Sequence, residues 1–525
     1  MKKDVYIFDT LLRDGEQGEN ISFSLADKIE IAKKLDEFGI DYIEGGWPGS
    51  NPKAVAFFKE MKNIPLKHAK LCAFGSTRRA KNKAEEDPNL LALIDSETPA
   101  VSIFGKSWDL HVTEALKITL DENLKLIYDS VKFLKSKNRE VIFDAEHFFD
   151  GYKENPDYAI KTLEVAVDAG ADVLSLCDTN GGSLPNEVYD ITKKIVEKFP
   201  DIMVGIHAHN DGGMAVANSI MAVLAGARHV QGTINGFGER TGNADLCAII
   251  PNINLKLKLI AIEPDKLKML TKLSQFVYET ANLPPDNKQP FVGKSAFAHK
   301  GGIHVSAVQR NARTYEHIPP EVVGNQRRIL ISELSGRSNF IARASTFKVT
   351  ELKTDEEIKK VLKEVKELEN KGYHFEVAEA SLEILAKKIL GDHKDFFTIE
   401  GFRVFVGKQT GERSITEATV KLRVGNEYEH TAGEGDGPVD ALNNAMRKAV
   451  ENFYPVIKEV RLVDYKVRVL NNEKGTAAKV RVLITSTDGK DQWITIGVSE
   501  NLIEASYRAL VDSIEYKLFL EEKKK

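Results

Sequence analysis

The sequence predicts an α/β chain built on a closed, eight-stranded parallel (β/α)₈ barrel, followed by a helical region and an α+β domain. Three observations carry this. Short β-branched runs alternate with amphipathic helical patterns eight times over about 260 residues, the size and period of such a barrel. Polar residues gather at or just past the C-terminal end of every run. From about Phe396 the pattern changes to strands followed by one helix, twice over.

The eight runs are "VYIF" (5–8), "DYIEGG" (41–46), "LCAFG" (71–75), "AVSIFG" (100–105), "EVIFDAE" (140–146), "DVLSLCD" (172–178), "MVGIHAH" (203–209) and "HVQGTING" (229–236). Between them, "SLADKIEIAKKLDEFG" (24–39) places Ile29, Ile31, Leu35 and Phe38 at helical spacing before Gly39, a glycine where a helix C-terminus wants one. "NPDYAIKTLEVAVDAG" (155–170) does the same with Ala159, Leu163, Ala166 and Val167. An open doubly wound sheet would bind ligand at one switch point. Here polar groups end all eight strands: Arg13 with Asp14, Glu44, Ser76 with Arg78, Ser107 with His111, Glu146 with His147, Asp178 with Thr179, His207 with His209, and Glu239 with Asn243. That favours a ring with its site on one face.

After the barrel, "NLPPDNKQP" (282–290) reads as an extended connection. "TDEE" (354–357) fits a capping box, and Ile358, Val361, Leu362, Val365 and Leu368 keep helical spacing. A second helix is expected from about Val377 to Leu390, stopped by Gly391. In the C-terminal part, "EHTAGEGDGPVDALNNAM" (429–446) aligns with "QWITIGVSENLIEASYRAL" (492–510) at an offset of 64, matching Gly433 to Gly497, Asp440 to Glu504 and Ala441 to Ala505. Two βββα repeats are therefore expected. The predicted divisions are a barrel over 1–265, a mainly helical linker region over 266–395 and a separate domain built from two related halves over 396–525.

A chain of 525 residues exceeds a single core. Its net charge of −5 gives no basic nucleic-acid footprint, so an anionic ligand needs a local positive site. Three widely spaced cysteines fit neither a disulfide framework nor a zinc finger; reduced thiols in a cytoplasmic protein are the expectation. "MKKDVYIFDT" has no signal-peptide core, and no run of about 18 apolar residues exists, so no membrane span is expected. "EEKKK" at the end reads as a solvated tail.

In a strand, residues two apart share a face, so His207 and His209 can reach one ion. Histidines near a strand end are also common as hydrogen-bonded fillers. Asn210 and Asp211 beside them, at the functional end of the strand, favour the metal. Strand one neighbours strand eight in a closed ring, so Asp14 can complete a mixed nitrogen and oxygen site suited to Mn²⁺, Mg²⁺, Co²⁺ or Zn²⁺. Arg13 can face an oxygen that gains charge in a reaction, or stand as an exposed surface arginine. "NGFGERTGNADL" (235–246) is either a simple tight turn or a loop that brings Glu239 and Asn243 to the ion, Asn243 through a neutral oxygen.

"LLRDGEQ", "HAHND" and "NGFGERTGN", in this order, with "SAFAHKGGIHVSAV" (295–308) and the duplicated tail, resemble the family of isopropylmalate, homocitrate and citramalate synthases over nearly the whole chain. "QGENISFS" (17–24), "YIEGGWPGSNPK" (42–53), "AFGSTRR" (73–79), "IFGKSWDLHV" (103–112) and "FDAEHFFDGYK" (143–153) resemble its citramalate-forming branch. The resemblance implies an acyltransferase: a Claisen condensation of acetyl-CoA with pyruvate, then loss of CoA to water, at the start of a route to isoleucine. It implies Asp14, His207, His209 and Asn243 as metal ligands and Arg13 as the alkoxide stabiliser. Glu146 and Thr179 would line the 2-oxo acid. His304 would be the base, oriented by Glu239 and delivered by the partner subunit of a homodimer; its alternatives are CoA binding or packing. Phe74 and Phe104 could crowd the methyl of pyruvate or be barrel core, and His111 joins the expected substrate-binding residues. The "GEGDGP" loop, with Gly433, Gly435, Asp436 and Gly437, would take an amino-acid effector, isoleucine by resemblance. Three readings compete: an isopropylmalate synthase acting on 2-oxoisovalerate under leucine control, a metal-dependent barrel lyase or aldolase, and an amino-acid sensor on a catalytically dead barrel.

Overall fold

The computed structural model describes residues 3–330, 355–407, 414–470 and 478–522. Eight parallel strands close into a barrel. They are β1 (Tyr6–Asp9), β2 (Tyr42–Glu44), β3 (Lys70–Ser76), β4 (Ala100–Lys106), β5 (Glu140–Glu146), β6 (Val173–Asp178), β7 (Met203–Ala208) and β8 (His229–Gly232). Closure comes from β1 against β8, with Tyr6 opposite His229 and Asp9 opposite Gly232. The open sheet is therefore excluded.

The helices form where their signals stand. Leu25–Phe38 begins with a capping box: Ser24 Oγ accepts from the Asp27 amide while Asp27 accepts from the Ser24 amide. It ends at Gly39, whose φ of 103° is the left-handed region that favours glycine. Ile31, Leu35 and Phe38 are buried in the barrel's outer core. Pro156–Asp168 starts with proline behind an Asn155 cap and buries Ala159, Leu163 and Ala166.

The chain forms two compact units, 1–297 with 318–326, and 298–317 with 327–525. These limits differ from a three-part division at 265 and 395. The reason is apolar burial: Leu270, Leu273 and Val277 of the helix Leu270–Thr280, and then Phe291, Val292 and Phe297, join the barrel's own core. The expected linker region is thus shared between the two units.

Within the second unit, helices Asp355–Asn370 and Glu379–Leu390 pack through Val361, Val365, Leu382 and Ala386, and Gly391 closes the second in the left-handed region. That helix begins at Glu379 rather than at about Val377, because Ala378, at φ −109° and ψ 62°, is outside the helical region. The capping position at 354 and the last residues of the lysine-rich end lie outside the described residues.

Two βββα repeats follow. Strands Thr398–Gly407, Ile415–Val424 and Glu427–Gly435 precede helix Pro438–Glu451, and strands Arg461–Val469, Val480–Thr487 and Gln492–Ser499 precede helix Leu502–Glu522. The matched glycines share one job. A Cβ on Gly433 would sit 2.6 Å from the Ala445 nitrogen, and one on Gly497 would sit 1.9 Å from the Ala505 oxygen. Each glycine lets its strand lie directly on its own helix.

Candidate active site

A cleft of about 200 Å³ opens at the C-terminal ends of the barrel strands, where this architecture places its chemistry. Arg13, Asp14, Glu146, Thr179, His207, His209 and Glu239 all line it.

Arg13 and Asp14 sit in the turn after β1. Its geometry depends on Asp9, a fully buried residue whose oxygens accept the Leu11 amide at 2.9 Å and the Ile234 amide at 3.0 Å. One carboxylate thus ties the loop after β1 to the loop after β8. Burial pushes the Asp9 carboxyl up to about 7, against the pull of those two amides. Arg13 Nε donates to Glu44 Oε2 at 2.6 Å, Nη1 lies 3.4 Å from Asp14 Oδ2, and the guanidinium stacks on the Phe74 ring at 3.8 Å. A fork held on three sides can turn only toward the cleft.

His207 and His209 do project together. Their Nε2 atoms are 3.2 Å apart, and Asp14 Oδ2 lies 3.3 Å from the first and 3.9 Å from the second. The three ligand atoms fall within 4.8 Å of one another. Burial raises the Asp14 pKa, but the Arg13 charge and the hydrogen bond to His207 reverse this and hold the carboxyl well below the usual range. Burial and the neighbouring His207 lower His209 to about 3, so its ring is neutral near pH 7. Burial lowers His207 too, but Asp14 outweighs it and the net shift is upward.

The outer partners fix the tautomer. His207 Nδ1 meets Gln231 Oε1 at 2.8 Å; an amide oxygen only accepts, so Nδ1 carries the hydrogen. Gln231 Nε2 in turn donates to Asp144 Oδ1 at 2.8 Å, and Ser102 Oγ donates to Asp144 Oδ2. An ion that displaces the Nε2 proton of His207 meets a ring already oriented. Asn243 Nδ2 donates to Asp14 Oδ2 at 2.9 Å, while its buried Oδ1 has no hydrogen-bond partner among the described residues. Two ring nitrogens and an ionised carboxylate converge, while Asn243 turns its amide nitrogen to Asp14 and its oxygen toward Gly238. A divalent cation suits this donor set.

The remaining expected residues divide. Glu146 pairs with Lys106, and Thr179 Oγ1 accepts the His147 amide at 2.9 Å. Glu239 is on the rim, its side chain 56% exposed and 3.4 Å from Arg240. Asp211 does not reach the ion cluster. It holds Arg240 at 2.8 Å, and Arg240 also donates to the Thr179 carbonyl. Phe74 and Phe104 stack at 5.5 Å on the cleft wall. His111 is not among the lining residues; it stacks on Trp108 and lies tilted against His147 at 4.1 Å. His304 belongs to the second unit, on helix Gly302–Arg310, exposed and stacked on Tyr315 at 4.0 Å. Gly433 and Gly435 meet their helix too closely for any side chain, and the Asp436 amide donates to Asp440.

Sequence reasoning did not single out Glu44, Lys106, Asp144 and Gln231 as site residues. Glu44 carried a signal, an acid at a strand's C-terminal end. Gln231 carried none, since its role depends on β7 and β8 pairing His207 with it.

Comparison with known proteins agrees with this geometry. Residues 4–277 match the HMGL-like family, 291–373 the homocitrate synthase post-HMGL domain-like family, and 376–518 the LeuA allosteric (dimerisation) domain. The chain is 60% identical to the (R)-citramalate synthase of Aquifex aeolicus, over 99% of each chain. It is 57% identical to that of Geobacter sulfurreducens, over 99% of this chain and 98% of the other. Identity falls to 33%, over 98% of each chain, for a probable 2-isopropylmalate synthase of Methanopyrus kandleri. With an HMGL-like barrel in front and a LeuA-type domain behind, this chain belongs to the (R)-citramalate synthase family.

Proposed function

We propose that the protein joins the acetyl group of acetyl-CoA to the keto carbon of pyruvate and releases CoA with water, giving (R)-citramalate. The observation that carries this is the convergence of Asp14, His207 and His209 beside Arg13 in one cleft. The identity gap between the citramalate and isopropylmalate relatives favours pyruvate over 2-oxoisovalerate.

Asp14, His207 and His209, with Asn243 as a neutral fourth donor, would hold a divalent ion such as Mn²⁺, Mg²⁺, Co²⁺ or Zn²⁺. When bound, it supplies Lewis acidity and a template for the 2-oxo acid. Arg13 stabilises the negative charge that the former keto oxygen gains as the carbon–carbon bond forms. Glu44 keeps that guanidinium in place. Glu146 and Thr179 line the 2-oxo acid, and Phe74 with Phe104 crowds its methyl end. A base takes one proton from the thioester methyl, that carbon attacks the keto carbon, and water then cleaves the thioester. We assign the base to His304, oriented by Glu239 and delivered by the partner subunit of a homodimer.

The matched LeuA description at 376–518 supports a regulatory and dimerising role for the C-terminal repeats, which we set at 396–525. The loop of Gly433, Gly435, Asp436 and Gly437 would take the effector, isoleucine for this product. Three buried, unpaired cysteines suit a cytoplasmic setting.

Free-thiol release from acetyl-CoA with Mn²⁺ and a panel of 2-oxo acids tests this. Pyruvate should exceed 2-oxoisovalerate by far. The reverse ranking would make it an isopropylmalate synthase, and no release would sink the condensation.

A further inference from the structure

Trp47 is a wall of the cleft that none of the roles above uses. Its ring meets Phe74 edge-on at 5.6 Å and Phe104 edge-on at 5.7 Å, across the stacked pair those two make. The three rings form one aromatic corner, with the Arg13 guanidinium on the Phe74 face. What holds the corner is Asn89. Trp47 Nε1 donates to Asn89 Oδ1 at 2.7 Å, and Asn89 Nδ2 donates to the Ser76 carbonyl at 2.7 Å. An indole N–H only donates and a carbonyl only accepts, so the amide fits in one orientation alone.

The seat for Asn89 is built. It occupies the first turn of helix Pro88–Asp95, where Asp87 Oδ1 accepts the Asn89 amide at 3.0 Å. The other Asp87 oxygen accepts from the Arg79 amide and from Asn82. Gly49 and Gly75 flank it, and a Cβ on either would lie 3.0 Å from Asn89 Oδ1. Asn89 thus bridges the loop after β2, the end of β3 and the helix that follows it. Turning the indole aside breaks its short hydrogen bond to an amide that Ser76 pins on the other side.

We infer that Asn89 is a positioning residue which, through Trp47, sets the longest 2-oxo acid side chain the cleft admits; this rests on the condensing function above. A locked aromatic corner leaves no slack for an added methylene. A misfit of that size discriminates by roughly 10–200-fold when the wall cannot yield. With Asn89 removed the indole can swing, and longer substrates gain relative to pyruvate.

The test is kcat/KM for pyruvate, 2-oxobutanoate and 2-oxoisovalerate in the full-length enzyme with Mn²⁺, for wild type, Asn89→Ala and Trp47→Phe. Asn89→Ala should raise the 2-oxobutanoate-to-pyruvate ratio about tenfold, mostly through the KM of the longer substrate. Trp47→Phe, which keeps a ring but loses the N–H, should move it the same way. A purely structural loss of active enzyme lowers all three values together and leaves the ratios fixed. If wild type turns over pyruvate but both variants keep the wild-type ratios, Asn89 has no such role. If wild type releases no thiol with any of the acids, the condensing function itself fails.

Discussion

Two buried histidines on neighbouring strands meet opposite fates. His207 ends β7 at the cleft; His229 begins β8 at the far end of the barrel, among the rings of Phe8 and Tyr42. Both are deeply buried. His207 has Gln231 on one nitrogen and Asp14 facing the other. His229 has no hydrogen-bond partner on either nitrogen among the described residues, and burial alone takes it down to about 3. Burial therefore does not make a ligand. His207 is set apart by facing Asp14 and by a second group that assigns its proton.

Breaking the oriented side gives the largest effects. His207→Ala should abolish Mn²⁺ retention and cut kcat/KM by roughly a thousandfold, measured by metal analysis and thiol release. Retained metal at full occupancy would remove His207 from the ligand set. Gln231→Leu leaves all three ligand atoms in place but frees the imidazole; metal affinity should fall about 10–100-fold in a chelator competition. An unchanged affinity would mean Asp14 alone orients the ring.

The unoriented side gives smaller effects and in stability only. His229→Phe replaces two unsatisfied nitrogens by carbon, so the folded state should gain about 1 kcal/mol near neutral pH while activity is kept. The pH dependence has a definite sign. The unfolded chain takes up a proton near the ordinary histidine value, whereas folded His229 does so only near 3. Between these limits the unfolded state binds more protons, so stability falls as pH falls, by up to about 1.4 kcal/mol per unit from this residue. Above the ordinary value the residue adds no slope. Tm against pH should be shallower in the variant over that acid window; parallel curves would show that His229 is hydrated or paired in solution.

The same contrast measures how much was legible in the sequence. Alternating patterns and polar strand ends announced the ring, and His207 with His209 announced the ion cluster, because periodicity and an i, i+2 pair are local. Gln231 and Asp144 were silent because their roles arise across strands, and Glu44 showed as a polar strand end but not as the partner of Arg13. Asp211 counted in favour of a metal only by its adjacency to the histidines, and it faces Arg240. His111 shared a strand end with the site but turned toward Trp108 and His147. Packing of Phe291 and Phe297 on the barrel leaves no mark in a linear pattern. The βββα duplication was plain, since the glycine that admits each helix recurs at a fixed offset.

The Asp9 carboxylate also bears on folding kinetics. It joins positions 225 residues apart, and Asp14 meets Asn243 across 229. On a ribosome, β1 emerges long before the strand that completes its pairing. Contacts of such sequence separation form slowly, so the seam beside Asp9 should close last. The ion cluster straddles that seam, and its donors cannot assemble earlier. Uptake of Mn²⁺ during refolding would then time the final closure of the ring, lagging behind the helical signal.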